Sequence, residues 1–232
     1  MFAMFDPLYL IIVGPAMLLA LWAQFQVKHA FSKYSRVGVS SRVSGAQAAA
    51  TMLREAGLHD VGIEEARGFL SDHYDPRKRV LRLSPEVYRG TSVASVGVAC
   101  HEAGHAVQHA AHYAPLALRN AVVPVASIGS WLAWPMIFGG MILGLAGLAK
   151  LGVLLFAGLV VFQLITLPVE FDASRRAKDR LAGLGIVGSS GESKGVAAVL
   201  NAAAMTYVAA TIAALAQLLY FALRLGLFGR DD

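Results

Sequence analysis

Four stretches of this chain carry no charged side chain: Pro7–Val27, Ala121–Ala149, Leu151–Val169 and Gly195–Leu223. A bilayer core about 30 Å thick is crossed by about 20 helical residues, so each stretch is long enough to span it. Charged residues make up only 15% of the 232, and the mean hydropathy is +0.57, far from the profile of an ordinary water-soluble domain. The expected fold is therefore mainly α: a polytopic membrane protein with about four transmembrane helices. The second and third stretches are separated by Lys150 alone and read as a hairpin turning near it. The first stretch lacks a basic leader and a small-x-small cleavage site, so it reads as an anchor and not as a cleaved signal.

Charge sets the expected orientation. Of the 20 Lys and Arg, 12 lie between Lys28 and Arg119 and five between Arg175 and Lys194. By the positive-inside rule both segments face the cytoplasm, which places the termini and Lys150 on the other side of the inner (plasma) membrane. The expected organisation is a first transmembrane helix (1–27), a cytoplasmic catalytic region (28–120), a transmembrane hairpin (121–169), a cytoplasmic helix (170–194), and a fourth transmembrane helix with its tail (195–232). The net charge of +5 needs no nucleic-acid partner, because the basic residues are mixed with acids and no aromatic-interleaved basic patch occurs. Orientation and attraction to the lipid bilayer account for it.

Within the first polar segment, Ser44 and Gly57 bracket an alanine-rich helix as N-cap and stop. "VGIEEA" (61–66) and "KRVLRLS" (78–84) alternate like strands, with an Asp-Pro turn signal between them. Ser84-Pro85 opens a short helix to residue 89, and Thr91-Ser92 caps a longer one over about 93–111.

That longer helix carries "CHEAGHAVQHA", residues 100–110. On a helix His101 and His105 share a face one turn apart, so both imidazoles can meet one metal ion, with Glu102 beside them. This is the H-E-x-x-H arrangement of zinc hydrolases. A catalytic zinc takes a third protein ligand. A metzincin histidine is excluded, since position 111 is alanine and the expected glycine position, 108, is glutamine. His109 and His112 continue the histidine-rich face and stay as alternatives, but from the same or next turns of one helix they do not easily complete a tetrahedron. A carboxylate from another helix remains, and "LPVEFDASRRAKDRL" supplies Glu170, with Asp172 as fallback. Glu170 lies about 30 Å of helix from the turn at Lys150, at the depth where the histidine segment is anchored. Pro168 just before it suggests a helix boundary. Cys100 reads as an apolar packing residue.

The blocks "FDPLYLIIVGPAMLLALWAQFQVK", "LSDHYDPRKRVLRLSPEVY", "HEAGHAVQHA" and "LPVEFDASRRA" together resemble the YugP-type membrane zinc metallopeptidases, bacterial proteins distantly similar to the HtpX and CAAX-prenyl endopeptidase group of gluzincins. The resemblance covers nearly the whole chain. It implies a small α+β zincin-like catalytic region, one zinc ion held by His101, His105 and Glu170, and Glu102 as general base. In the HtpX-like group an aspartate often follows the ligand glutamate by four positions, whereas Ser174 stands here, so support for a histidine or the metal differs.

The expected reaction is zinc-dependent hydrolysis of peptide bonds in a membrane or juxtamembrane polypeptide substrate near the cytoplasmic face. Arg175, Arg176, His109 and Tyr113 are the candidate donors to the oxyanion, with Arg175 and His109 taken into the catalytic set. The strand at Val80–Leu83 is a candidate edge for pairing with an extended peptide. Two other readings compete. A site-2-type intramembrane protease also carries H-E-x-x-H, but its Asn-Pro-Asp-Gly-like segment has no counterpart, because the chain contains no Asp-Gly pair. A non-catalytic zinc-binding scaffold or transporter would place ionisable residues within the spans, which hold Gln24, Gln163 and Gln217 but no charge before Glu170.

Overall fold

The computed structural model describes residues 6–68, 71–227 and 229. The ends of the first and last expected segments, residues 1–5, 228 and 230–232, lie outside these. The chain is mainly helical, with seven helices and three strands among the described residues: α1 (Pro7–Tyr34), α2 (Gly45–Glu55), β1 (Gly62–Glu65), β2 (His73–Asp75), β3 (Val80–Leu83), α3 (Pro85–Arg89), α4 (Val93–Ala110), α5 (Ala114–Ile142), α6 (Ala146–Gly183) and α7 (Ser190–Arg224). Helices α1, α5, α6 and α7 are long and apolar enough to cross a membrane. Residues 1–23, 118–167 and 206–232 form one unit, and residues 24–117 and 168–205 a second.

The first unit is helical. Trp134 stacks on Phe138 and meets Phe156 and Phe221 edge-on around a core that includes Val13, Ile137 and Tyr220. Its surface carries many large apolar side chains, among them Ile11, Leu18, Val125, Trp131, Leu143 and Leu154, as a lipid-facing surface requires. The hairpin turns at residues 143–145, near Lys150, which itself lies inside α6. The reason is conformational: Gly144 adopts a left-handed φ of +68°, open to glycine without strain, and Leu145 N–H closes the turn on Gly140 O at 2.8 Å. Gly140 also lets the two helices touch, since a Cβ there would lie 2.5 Å from Ala149 N.

The second unit holds the sheet. α2 starts as expected at Ser44, whose hydroxyl accepts from Gln47 N–H at 3.2 Å while its own N–H donates to Gln47 Oε1 at 2.8 Å. It buries Ala48, Ala49, Met52 and Leu53 in a core shared with Ala99, Cys100 and Ala103 of α4. The sheet has three strands in the order β1-β3-β2, with β1 parallel and β2 antiparallel to β3. The Asp-Pro turn is present, with Asp75 Oδ1 accepting from Arg77 and Lys78 N–H at 3.0 and 3.1 Å, but it joins β2 to β3. β3 therefore has neighbours on both sides, and no edge remains at Val80–Leu83 for an added peptide.

α6 does not end near Pro168. It runs unbroken to Gly183 with that proline inside it, so Glu170 lies within the helix and not at its boundary. A proline in a helix interior removes one backbone hydrogen bond, and α6 accommodates that loss.

α4 begins where Ser92 caps it, its hydroxyl accepting from Ser95 N–H at 3.1 Å and meeting Ser95 Oγ at 2.8 Å in a buried setting. Ser92→Ala removes this cap and is expected to cost about 1 kcal/mol. For a chain of this size the thermal midpoint in detergent should fall by about 2–4 °C; a midpoint unmoved by the substitution would mean that the cap does not support α4.

Candidate metal centre

Gly104 stands where α4 meets α6. A Cβ on Gly104 would lie 2.8 Å from Ala173 O, so the helices approach to backbone contact there. That approach brings side chains of α4 and α6 together. His101 Nε2 lies 3.2 Å and His105 Nε2 3.7 Å from Glu170 Oε2, and the imidazoles stand edge to face with centroids 4.8 Å apart. One ligand atom from each of the three residues falls within 4.8 Å of the others, the only such group among the described residues. The Glu170 side chain is 3% exposed, those of His101 and His105 14% and 10%.

The atoms fit zinc. Two imidazole nitrogens and one carboxylate oxygen are the donor set of a three-ligand catalytic site, and the separations allow one ion between them. Burial opposes the charged form of His105, but hydrogen bonds to Glu170 and Gln108 and the charges of Glu102 and Glu170 outweigh it and raise its pKa.

The far sides of both rings are held. Ser174 Oγ lies 3.1 Å from His101 Nδ1, and Gln108 Oε1 lies 3.0 Å from His105 Nδ1. Gln108 is fully buried and donates through Nε2 to Val169 O at 2.8 Å and to Asp172 Oδ2 at 2.9 Å. Asp172 in turn pairs with Arg175 and, at 2.5 Å, with Arg176, whose guanidinium also lies 5.8 Å from the Tyr113 ring centroid. The fallback ligand is therefore engaged elsewhere, held by two arginines and a glutamine. Arg175 pairs with that carboxylate through a side chain that is 68% exposed.

Glu102 faces the sheet. Its Oε2 accepts from Tyr74 N–H at 3.1 Å, while the Tyr74 hydroxyl meets His109 Nδ1 at 2.9 Å. Tyr74 thus links the outer strand β2 to two residues of the histidine helix, and burial raises its phenol pKa. Asp72, just before β2, accepts from Ser84 N–H and Oγ at 2.8 and 3.1 Å; burial raises its pKa, with the Glu102 charge adding to the shift. Cys100 is buried and its thiol pKa is pushed up by desolvation, which makes it a packing residue.

Tyr74 and Gln108 escaped the sequence reading. Gln108 left a trace there, a glutamine where one zinc-protease class requires glycine. Tyr74 left none, since nothing in three residues of β2 announces a strand.

A chain with four candidate membrane-spanning helices, a small sheet and a buried His-His-Glu cluster fed by an H-E-x-x-H helix has the parts of a membrane metallopeptidase. The chain belongs to the family described as "Putative neutral zinc metallopeptidase", whose model matches residues 9–226. It is 48% identical over 225 residues to the "Putative membrane protease YugP" of Bacillus subtilis (strain 168), an alignment covering 97% of this chain and 99% of that relative. No solved structure matches it.

Proposed function

We propose that this chain is a gluzincin-type zinc endopeptidase that cleaves membrane or juxtamembrane polypeptides close to the cytoplasmic face of the plasma membrane. One observation carries the reading: His101 Nε2, His105 Nε2 and a Glu170 oxygen converge from two helices on a buried point that fits one metal ion. Family membership supports zinc and proteolysis. The distribution of Lys and Arg supports the cytoplasmic side.

His101, His105 and Glu170 would hold the zinc ion, one per chain. When bound, zinc polarises the scissile carbonyl and acidifies water, so that hydrolysis proceeds near neutral pH. Glu102 takes the proton from the attacking water and delivers it to the leaving amine, which removes the need for an acyl-enzyme. Of the two donors expected from sequence, His109 is the better placed. It follows His105 by one turn and is oriented by the Tyr74 hydroxyl. Arg175 commits its guanidinium to Asp172.

The test is metal analysis and proteolysis of the full chain in detergent. The unaltered chain should carry about one zinc, and His105→Ala and Glu170→Gln little or none. Removing zinc with a chelator should stop cleavage of a membrane-tethered peptide, and adding zinc back should restore it. A chain without zinc, or cleavage indifferent to its removal, sinks the proposal. Equal rates on soluble and membrane-tethered forms of one peptide would remove the membrane substrate class alone.

A further inference from the structure

Three of Gln108's contacts form a chain of constraints that ends on a histidine. Val169 O can only accept a hydrogen bond, and Asp172, neutralised by Arg175 and Arg176, is likewise an acceptor. Both lie within 2.9 Å of the same Gln108 nitrogen, which fixes the amide so that its NH₂ faces α6. Its Oε1 must then face His105 Nδ1, and an oxygen acceptor there requires the proton to be on Nδ1. The lone pair of His105 is left on Nε2, the nitrogen directed at Glu170. At His101 Nδ1 lies against Ser174 Oγ and Nε2 against Glu170; the hydroxyl can accept from Nδ1–H as the Gln108 oxygen does, though it is also able to donate.

We propose that Gln108 and Ser174 are positioning residues that fix the ring orientation and coordinating nitrogen of His105 and His101, so that α6 supplies both the third ligand and the alignment of the other two. The proposal rests on the zinc site above and deepens it. Gln108 acts as a relay. Its position on α4 places it one turn past His105, and its two donors tie it to α6 on either side of Glu170, at Val169 and Asp172. Ser174 stands one turn beyond Glu170 and reaches the other histidine without an intermediary. A ring held at one nitrogen loses rotational freedom before the metal arrives and presents the other nitrogen in the required direction, which is why such outer contacts govern metal affinity.

The experiment measures the zinc dissociation constant by competition with a chromophoric chelator, alongside the visible absorption of the cobalt-loaded protein and the thermal midpoint of the metal-free chain. Gln108→Met conserves volume and removes all three hydrogen bonds. Affinity should fall about tenfold or more and the cobalt bands should shift. Val196→Ala, a packing change beside α4 at Gly97, should lower the midpoint while leaving the dissociation constant unchanged. Ser174→Ala reads out the His101 side independently, with several-fold weaker zinc expected, and carries the test should Gln108→Met not fold.

Unaltered affinity in Gln108→Met and Ser174→Ala overturns the proposal. So does Val196→Ala weakening zinc equally, since the effect would then belong to general stability. If the unaltered chain binds one zinc in these cases, the proposed function stands and only the positioning role falls. If it binds none, both fall together.

Discussion

Glu102→Gln is expected to bind zinc as tightly as the unaltered chain and to cleave an unfolded protein about 10²–10⁴-fold more slowly. The expectation follows from what glutamine keeps and what it loses. Its amide oxygen still accepts from Tyr74 N–H, the one hydrogen bond described for Glu102, so β2 and α4 retain their contact. Glu102 contributes no atom to the His101-His105-Glu170 group, so the metal donors are untouched. What disappears is a carboxylate able to take a proton from water and release it to an amine. Zinc content and cleavage measured on the same preparations separate the roles. Cleavage undiminished by the substitution would assign the base to another residue, with Asp72 the next carboxylate to alter.

Gly104→Val should be the most damaging single substitution on the histidine helix. A Cβ at this position lies 2.8 Å from the oxygen of Ala173 and 3.3 Å from its carbonyl and α carbons, all backbone atoms that cannot turn aside. The helices must separate, and overpacking of this kind costs about 1–3 kcal/mol. Separation also carries Glu170 and Ser174 away from the histidines and breaks the Gln108 bonds. The thermal midpoint and zinc content should therefore fall together, with Gly104→Ala showing a smaller version of both. A Gly104→Val chain that keeps about one zinc and an unchanged midpoint would show that the close approach of α4 and α6 is not what assembles the centre.

Much of the second unit was legible because its helices announce their starts. Ser44, Ser84-Pro85 and Ser92 mark α2, α3 and α4, and the H-E-x-x-H spacing then puts His101 and His105 on one face. Glu170 stood out as the acid that ends an apolar run. Other parts were not legible, for physical reasons. β2 is three residues long, too short for alternation to register, and its pairing decides that β3 is central and β1 parallel. The turn of the α5–α6 hairpin follows glycine conformation and small-residue packing, which a lone lysine nearby does not reveal. Pro168 signals a helix end, yet α6 continues through it, a tertiary override of a local preference. Gln108 looks like any polar helix residue until the facing helix is known, because its partners are 61 and 64 residues away.

That separation has a temporal meaning. His101 and Glu170 are 69 positions apart, with all of α5 between them. At about 5–20 residues per second, the histidine helix leaves the ribosome roughly 3–14 s before the glutamate does. During that interval the nascent chain bears the H-E-x-x-H sequence but neither its third donor nor the α6 groups that hold the two rings. On the proposed function, the chain is inert while it is being made, and its His-His-Glu group comes together only once the Glu170 part of the third long apolar helix has been synthesised.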